Sequence, residues 1–262
     1  MTEPELRPPP QARGRESSFL IVWLVLIIAI VVALVFAYRL TGGVRVLFIG
    51  NSHTFSNDLP TMVDELATSG GMAISTEMIA IGGAWLADHA RSPEVATALS
   101  EGDYDFVVLQ EQSMAPADPG VAQESTYPAA RQLAQMASAG GAEIVFFQTW
   151  AHRGGNQDVG HGSFASMQDA ITATYSDLAV RYAGDVAPAG EAWRAHFTSG
   201  SSVPLHADDG YHPNPSGSYL AAAVIAATIS DIDPREFAWW GPLEETAARA
   251  MLESAHLAIE GQ

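Results

Sequence analysis

Five short apolar runs alternate with helix-like segments through most of the chain, and this alternation restricts the folds that are open to it. The first run, Val44–Gly50, is rich in β-branched residues, and further strands are predicted at 72–81, 104–110, 143–149 and 186–188. Helices are predicted at 57–69, 85–98, 127–139, 164–182, 218–230 and 243–259. Strands separated in this way by helices form a parallel sheet through right-handed crossovers. The pattern therefore predicts an α/β domain over residues 44–262.

The N-terminal region has a different character. Residues 1–18 contain Pro and Arg without hydrophobic periodicity, and we predict that they are disordered. Residues 19–38 form a run of 20 residues with no charge, Pro or Gly. Such a helix can cross the hydrocarbon core of a bilayer, roughly 30 Å thick. A cleaved signal peptide is the competing interpretation, but its apolar region is shorter, about 7–15 residues. We therefore predict a transmembrane anchor at 19–38 and a linker at 39–43.

The charges that flank this run predict its orientation. Arg7, Arg13 and Arg15 precede it, whereas Arg39 and Arg45 follow it. The positive-inside rule then favours a cytoplasmic N-terminus. We expect a single-pass protein of the cell membrane whose domain lies outside the cytoplasm.

Composition excludes several classes of function. The chain has no cysteine, which rules out disulfides, thiolate zinc sites and a cysteine nucleophile. Its 12 basic residues are all Arg, and its formal net charge is −18. A surface this acidic disfavours nucleic acid and anionic lipid headgroups as partners of the folded domain.

Ser52 follows the first predicted strand directly, at its carboxyl end. Open parallel sheets bind ligands outside the carboxyl ends of their strands, so a serine here is well placed to act as a nucleophile. The alternative is that Ser52 or Thr54 only caps the following helix. The sequence is not the Gly-x-Ser-x-Gly elbow of α/β-hydrolases, because position 54 is Thr.

Other candidate residues follow neighbouring strands of the predicted sheet. Gly82 and Gly83 come after the second strand and could bring a backbone N–H close to a ligand. Gln112 comes after the third strand and carries an amide donor. With the N–H of Ser52, these groups would form a three-donor oxyanion hole. Trp150, beyond the fourth strand, is a candidate substrate-binding residue, and Trp85, His152 and Arg153 are predicted to shape the same groove.

A serine nucleophile needs a base, and His212 is the best supplied of the eight histidines. Asp209 stands three residues before it, and Gly210 permits the turn that would bring the carboxylate to the imidazole Nδ1. Nε2 would then face Ser52. We expect the other histidines to be structural or exposed.

These segments resemble the conserved blocks of the SGNH (GDSL-like) hydrolases. Gly50-Asn51-Ser52-His53-Thr54 is similar to block I, Gly83 to the block II glycine, and Asp209-x-x-His212 to block V. The resemblance implies Ser52 as nucleophile, His212 as base, Asp209 as its orienting group, and the N–H groups of Ser52 and Gly83 as oxyanion donors. Block III departs from the family pattern Gly-x-Asn-Asp, and Gln112 takes the position of the oxyanion Asn.

The resemblance also implies a fold and an activity. The fold is a flavodoxin-like three-layer α/β/α sandwich with a parallel sheet of about five strands. The activity is that of a serine esterase that needs no metal or organic cofactor and whose partner is an ester substrate. With the predicted anchor, acylated glycans or lipids of the cell envelope are the expected substrates.

Three alternatives stay open at this stage. An acyl-enzyme can pass its acyl group to a sugar hydroxyl, which would make the protein an acyltransferase. His206, Asp208, Asp209 and His212 lie within seven residues and could ligate zinc or manganese in a metal-dependent hydrolase. The altered block III also permits a non-catalytic glycan-binding module.

Overall fold

A computed structural model describes residues 43–261 and, nearer the N-terminus, residues 21, 23–28 and 30. The chain divides into two units, Met1–Gly42 and Gly43–Gln262. Residues 21, 23–28 and 30 are helical. No helix in the described part of the chain combines the length and apolarity needed to cross a membrane. Most of the predicted anchor at 19–38 lies outside the described residues, as do residues 1–18, which were predicted to be disordered, and most of the predicted linker.

The second unit is built on a five-stranded parallel sheet. Its strands are β1 (Val44–Gly50), β2 (Ile74–Ala80), β3 (Phe106–Leu109), β4 (Glu143–Phe147) and β5 (Asp185–Ala187), in the spatial order β2-β1-β3-β4-β5. This is the flavodoxin-like strand order. The predicted α/β class, the strand number and the parallel direction are confirmed.

Helices cover both faces of the sheet. They are Ser52–Phe55, Leu59–Ser69, Leu86–His89, Pro93–Glu101, Pro119–Val121, Tyr127–Ala139, Phe164–Tyr182, Ala189–Thr198, Pro215–Ser230 and Glu245–Glu260, with short 3-10 turns at Ser56–Asp58, Ala115–Ala117, Gln157–Val159 and Pro234–Glu236 and a π-helical turn at Ala122–Thr126.

The strands divide their side chains between two cores. Val46 and Phe48 of β1 pack on the face covered by the helices Leu59–Ser69, Pro215–Ser230 and Glu245–Glu260. Leu47 and Ile49 pack on the opposite face. Successive side chains of a strand point to opposite faces, so a strand that is apolar throughout must be covered twice. The three-layer arrangement follows from this pattern.

Two helix predictions differ from the structure. The predicted helix at 85–98 is two helices, Leu86–His89 and Pro93–Glu101, because Pro93 lacks an N–H and starts a new helix capped by Ser92 Oγ. The helix Ala189–Thr198 was not predicted. Its buried face is short and mixed, with Ala, Gly, Trp and His, and gives little apolar periodicity.

The strand order brings three predicted site segments together. β1 lies between β2 and β3, so the segments that follow these strands leave the sheet side by side at its carboxyl edge. Ser52 follows the central strand of the three, at the point where the order of the sheet reverses.

Candidate active site

Ser52 is placed by a tight turn at the end of β1. No side chain fits at Gly50, because a Cβ there would lie 2.3 Å from Thr54 Oγ1 and 2.6 Å from Gln110 Oε1. Asn51 caps the short helix Ser52–Phe55, and its side chain accepts a hydrogen bond of 3.1 Å from the N–H of His53. Ser52 is thus the first residue of a helix and is half-buried.

A continuous chain of hydrogen bonds links Ser52 to Asp209. His212 Nδ1 lies 2.7 Å from Asp209 Oδ2, and His212 Nε2 lies 2.8 Å from Ser52 Oγ. A carboxylate only accepts, so Nδ1 carries the proton and Nε2 accepts from the serine hydroxyl. This is the nucleophile–base–orienter geometry that activates a serine.

Asp209 is held by its own loop as well as by the imidazole. Its Oδ1 accepts hydrogen bonds of 3.0 Å from the N–H groups of Tyr211 and His212. Desolvation opposes ionisation, but these bonds and the imidazole outweigh it and lower the pKa of Asp209 to about 2. Arg153 also stabilises this loop. Its backbone N–H donates to Gly210 O (2.8 Å) and its guanidinium donates to Ala207 O (2.5 Å).

Three hydrogen-bond donors at the sheet edge are not used by the protein. Within residues 43–261, these three donors bond to no protein group: the backbone N–H groups of Ser52 and Gly83 and the side-chain Nε2 of Gln112. Gly83 has φ +72°, and a Cβ there would meet nothing within 4 Å. Gln112 Oε1 accepts from the N–H of Met114 (2.8 Å) and Ala115 (3.2 Å), which fixes the side chain and leaves its NH₂ free.

Buried polar side chains connect the segments that carry these donors. Asn51 donates from its N–H to Gln110 Oε1 (2.8 Å) and from its Nδ2 to Ala84 O (2.9 Å). Glu111 Oε1 accepts from the N–H of Leu86 (3.0 Å) and of Gln112 (2.7 Å). Burial raises the pKa of the Glu111 carboxyl. The ends of β1, β2 and β3 are therefore fixed relative to one another.

A solved structure with the same fold identifies the family. No protein-family model and no curated protein matches the chain. Among solved structures, a protein from Slackia heliotrinireducens described as an SGNH hydrolase is 33% identical, with a TM-score of 0.62. The match covers 71% of this chain and 99% of that one. The chain belongs to the SGNH hydrolases.

Two further structures share the fold of this SGNH hydrolase at lower identity. A DUF4886 family protein from Bacteroides uniformis has a TM-score of 0.70 at 18% identity, over 83% of this chain and 95% of its own. An acetyl xylan esterase from Geobacillus stearothermophilus has a TM-score of 0.54 at 17% identity, over 71% and 93%. The protein is an SGNH-type hydrolase, as the resemblance of its sequence blocks predicted.

The substrate-binding role predicted for Trp150 is wrong. The side chain is 0% exposed and stacks on Trp193 with ring centroids 4.0 Å apart. Its Nε1 donates to the carbonyl of Tyr211 at 3.0 Å. Trp150 therefore supports the loop that contains His212 through its bond to Tyr211 O, and its buried ring cannot contact a substrate. Position alone, just past a strand end, did not reveal which way the ring points.

The metal site considered from sequence does not assemble. His206 is buried, and its Nε2–H donates to Ala151 O at 3.0 Å, so this nitrogen is not free to bind a metal ion. In the part of the chain that is described, no group of three or more His, Asp or Glu side chains is arranged to hold a metal ion. His212 and Asp209 instead bond to each other.

Sequence reasoning missed the residues that support the site. Asn51 and Glu111 connect segments more than 20 residues apart, and His53 reaches Tyr211 O across the active site. All three are buried polar residues beside a predicted functional residue. That combination of polarity with a buried strand end is the signal that could have drawn attention to them.

Proposed function

We propose that this SGNH hydrolase removes O-acyl groups through an acyl-enzyme, with Ser52 as nucleophile, His212 as general base and Asp209 as the group that orients the imidazole. The observation that carries this assignment is the chain of hydrogen bonds from Asp209 through His212 to Ser52, with links of 2.7 and 2.8 Å. Each side chain is already oriented for its step before a substrate binds.

The reaction follows from these positions. Ser52 Oγ attacks the ester carbonyl while its proton passes to His212 Nε2, and the imidazolium is stabilised by Asp209. The N–H groups of Ser52 and Gly83 and the NH₂ of Gln112 are proposed to stabilise the oxyanion. Collapse expels the alcohol, which takes the proton from His212. Water then gives a proton to His212, attacks the acyl-enzyme and releases the acid, and Ser52 regains its proton.

The surroundings of His212 favour an alcohol with several hydroxyl groups. Tyr211 is 39% exposed, and its ring centroid lies 4.3 Å from that of His212. The ring of His152 also lies near Tyr211, at 5.5 Å between centroids, and its Nε2 is 3.3 Å from Ser113 Oγ. An exposed aromatic ring close to the polar Ser113–His152 pair suits a sugar, which has both an apolar face and hydroxyl groups, so we propose acylated glycans as substrates. Acetyl xylan esterases among the similar folds agree with this class.

We further propose that residues 19–38 anchor the enzyme in the cell membrane with its domain outside the cytoplasm. The support is the run of 20 residues without charge, Pro or Gly and the three Arg residues before it. Protease protection of the full-length chain in sealed vesicles tests this orientation. An enzyme released from membranes by high salt alone would contradict the anchor.

The catalytic proposal is tested with the full-length chain in detergent. Hydrolysis of p-nitrophenyl acetate and of acetylated xylan is compared for the wild type, Ser52→Ala and Ser113→Ala. A fluorophosphonate probe followed by peptide mapping identifies the serine that reacts. We expect labelling at Ser52, its loss in Ser52→Ala and its persistence in Ser113→Ala. Labelling at Ser113 would contradict the proposal and assign the nucleophile to the Ser113–His152 pair. A separate assay with added alcohols tests for acyl transfer, because a transferase would give an ester product in place of the free acid.

A further inference from the structure

His212 is bracketed by two hydrogen bonds that come from the segment carrying Ser52. His53 Nε2 lies 3.2 Å from the carbonyl oxygen of Tyr211, and Asn57 Nδ2 lies 3.2 Å from that of Pro213. The two accepting residues, Tyr211 and Pro213, stand immediately before and after His212 in the sequence. We propose that His53 and Asn57 are positioning residues that set the place of the His212 imidazole relative to Ser52. The inference rests on the proposed roles of Ser52 and His212.

The bond from His53 has a defined polarity. A carbonyl oxygen only accepts, so Nε2 of His53 carries a proton and donates it. His53 is 3% exposed, and its ring centroid lies 5.5 Å from that of His212. Burial, followed by the charges of His212 and His152, lowers the pKa of His53 to about 3. A neutral donor can thus hold the loop without opposing the imidazolium that forms during turnover.

The bond from Asn57 depends on an unusual backbone. Asn57 and Asp58 both have left-handed conformations, with φ 57° and φ 56°. Asn and Asp adopt this region more readily than other side-chain-bearing residues. The turn aims Asn57 Nδ2 at Pro213 O and also at Ser218 Oγ, 2.9 Å away. Ser218 in turn donates to Ser56 O, which closes the contact between the two segments.

Holding the loop is separable from satisfying its carbonyl groups. Tyr211 O also accepts from Trp150 Nε1 at 3.0 Å, so losing the His53 donor leaves no unsatisfied carbonyl. It does remove the direct connection between the residue after Ser52 and the residue before His212. A displacement of about 1 Å between reacting groups can cost roughly 10²-fold in rate. The expected effect is therefore on the chemical step more than on folding.

The test uses variants that separate a donor from bulk. His53→Phe fills the space without a donor, His53→Gln restores an amide donor, and Asn57→Asp keeps the backbone preference but replaces the donor with an acceptor. His196→Phe is the matched control, because His196 is also buried and donates from Nε2 to a carbonyl, Val203 O at 3.1 Å, away from the site. Each full-length variant is assayed for kcat and KM on p-nitrophenyl acetate.

We expect His53→Phe and Asn57→Asp to lower kcat by roughly 10- to 10²-fold with KM almost unchanged, and His53→Gln to recover most of the loss. His196→Phe should keep the wild-type kcat. Wild-type kcat in both His53→Phe and Asn57→Asp would overturn the proposal, as would equal losses in His53→Phe and His196→Phe. If His53→Phe does not fold, Asn57→Asp carries the test, and a wild-type kcat in that variant overturns the proposal.

A spectroscopic measurement separates this inference from the proposed function. The downfield NMR resonance of the proton between His212 Nδ1 and Asp209, assigned by its loss in Asp209→Ala, reports the imidazole position without any substrate. We expect it to shift or broaden in His53→Phe and to be preserved in His196→Phe. A shifted resonance in His53→Phe, from an enzyme whose wild type hydrolyses no ester, would support the positioning role of His53 and refute the proposed reaction. If the wild type hydrolyses esters but the resonance is unchanged in His53→Phe, the positioning role of His53 is refuted and the proposed reaction is not.

Discussion

The two sides of the candidate site are built differently. On the base side, the carbonyl groups around His212 receive hydrogen bonds from His53, Asn57 and Trp150, which lie in separate parts of the chain. On the oxyanion side, Gly82 and Gly83 are exposed, and the nearest fixed points are Ala84 O and Leu86 N. The base side therefore depends on side chains that bond its loop directly, whereas the Gly82–Gly83 part of the oxyanion side depends on backbone conformation.

This difference has a chemical reason. A general base must keep one tautomer and one orientation, so its loop is bonded from several directions. A backbone oxyanion donor such as the N–H of Gly83 needs a free N–H facing an open space, where a side chain of its own would compete with the substrate. The following variants test the contrast, from the largest expected effect to the smallest.

The base side predicts a large loss from an isosteric change at Asp209. In Asp209→Asn the remaining oxygen still accepts from the N–H groups of Tyr211 and His212, so the loop keeps its shape. An amide NH₂ facing Nδ1 would place the imidazole proton on Nε2, where it cannot accept from Ser52. We expect kcat to fall by about 10³–10⁴-fold. Asp208→Asn, an exposed neighbour, is the control, and equal rates in both variants would contradict the role of Asp209.

The oxyanion side predicts a loss that follows backbone preference. Gly83→Val meets no steric obstacle, but a β-branched residue disfavours φ +72° and should rotate the N–H away. We expect kcat to fall by roughly 10²-fold or more, and Gly83→Asn to lose less. Gly141→Val is the matched control, since Gly141 has φ +90° in an equally open but distant turn. If Gly141→Val slows turnover as much, strain and not the donor explains the effect.

Gln112 tests whether a side chain completes the oxyanion side. Gln112→Glu keeps the oxygen that accepts from Met114 and Ala115 but replaces the free NH₂ with a second carboxylate oxygen. Steady-state kinetics should show a fall in kcat of about 10- to 10²-fold, because a donor is replaced by a negative charge. Gln123→Glu makes the same charge change at an exposed position. Equal activity in the two variants would remove Gln112 from the oxyanion hole.

The buried imidazole of the base side predicts a pH dependence of stability. Its folded-state pKa of about 3 lies below the ordinary value of 6.5, so from pH 6.5 downward the unfolded chain binds a proton that the folded chain does not. The free energy of unfolding should therefore decrease as the pH is lowered below 6.5, by at most about 1.4 kcal/mol per pH unit from this group. Urea unfolding between pH 6.5 and 5 should show a shallower dependence in His53→Phe and His53→Gln. Equal slopes in all three proteins would place His53 in a solvated, titrating state.

Much of the fold could be predicted from local pattern. A strand with a continuous apolar run, such as residues 46–49 of β1, must be covered on both faces, and helices between such strands make the sheet parallel. Strand ends were misplaced by up to two residues, as at β4, where burial continues past Phe147 into Gln148 and Thr149. The helix Ala189–Thr198 was missed because its apolar face is too small to produce a periodic signal.

The candidate site could be predicted where its residues are neighbours in sequence. Asp209 and His212 lie three residues apart around a glycine turn, so their bond is a local property of the chain. The position of Ser52 at a strand end is likewise local. The direction of Trp150 and His206 is not local, because each ring settles where tertiary packing offers space and a carbonyl to bond.

The sequence by itself therefore determined the parallel α/β domain, the family resemblance and the pairing of Asp209 with His212, since these depend on residue type and on spacings of a few residues. Only the tertiary structure decided that His212 meets Ser52, 160 residues away in sequence. It also decided that His53 and Asn57 bond to the residues on either side of His212. The physical reason is that hydrogen bonds between distant segments depend on the packed distance between elements. That distance is set by the whole core.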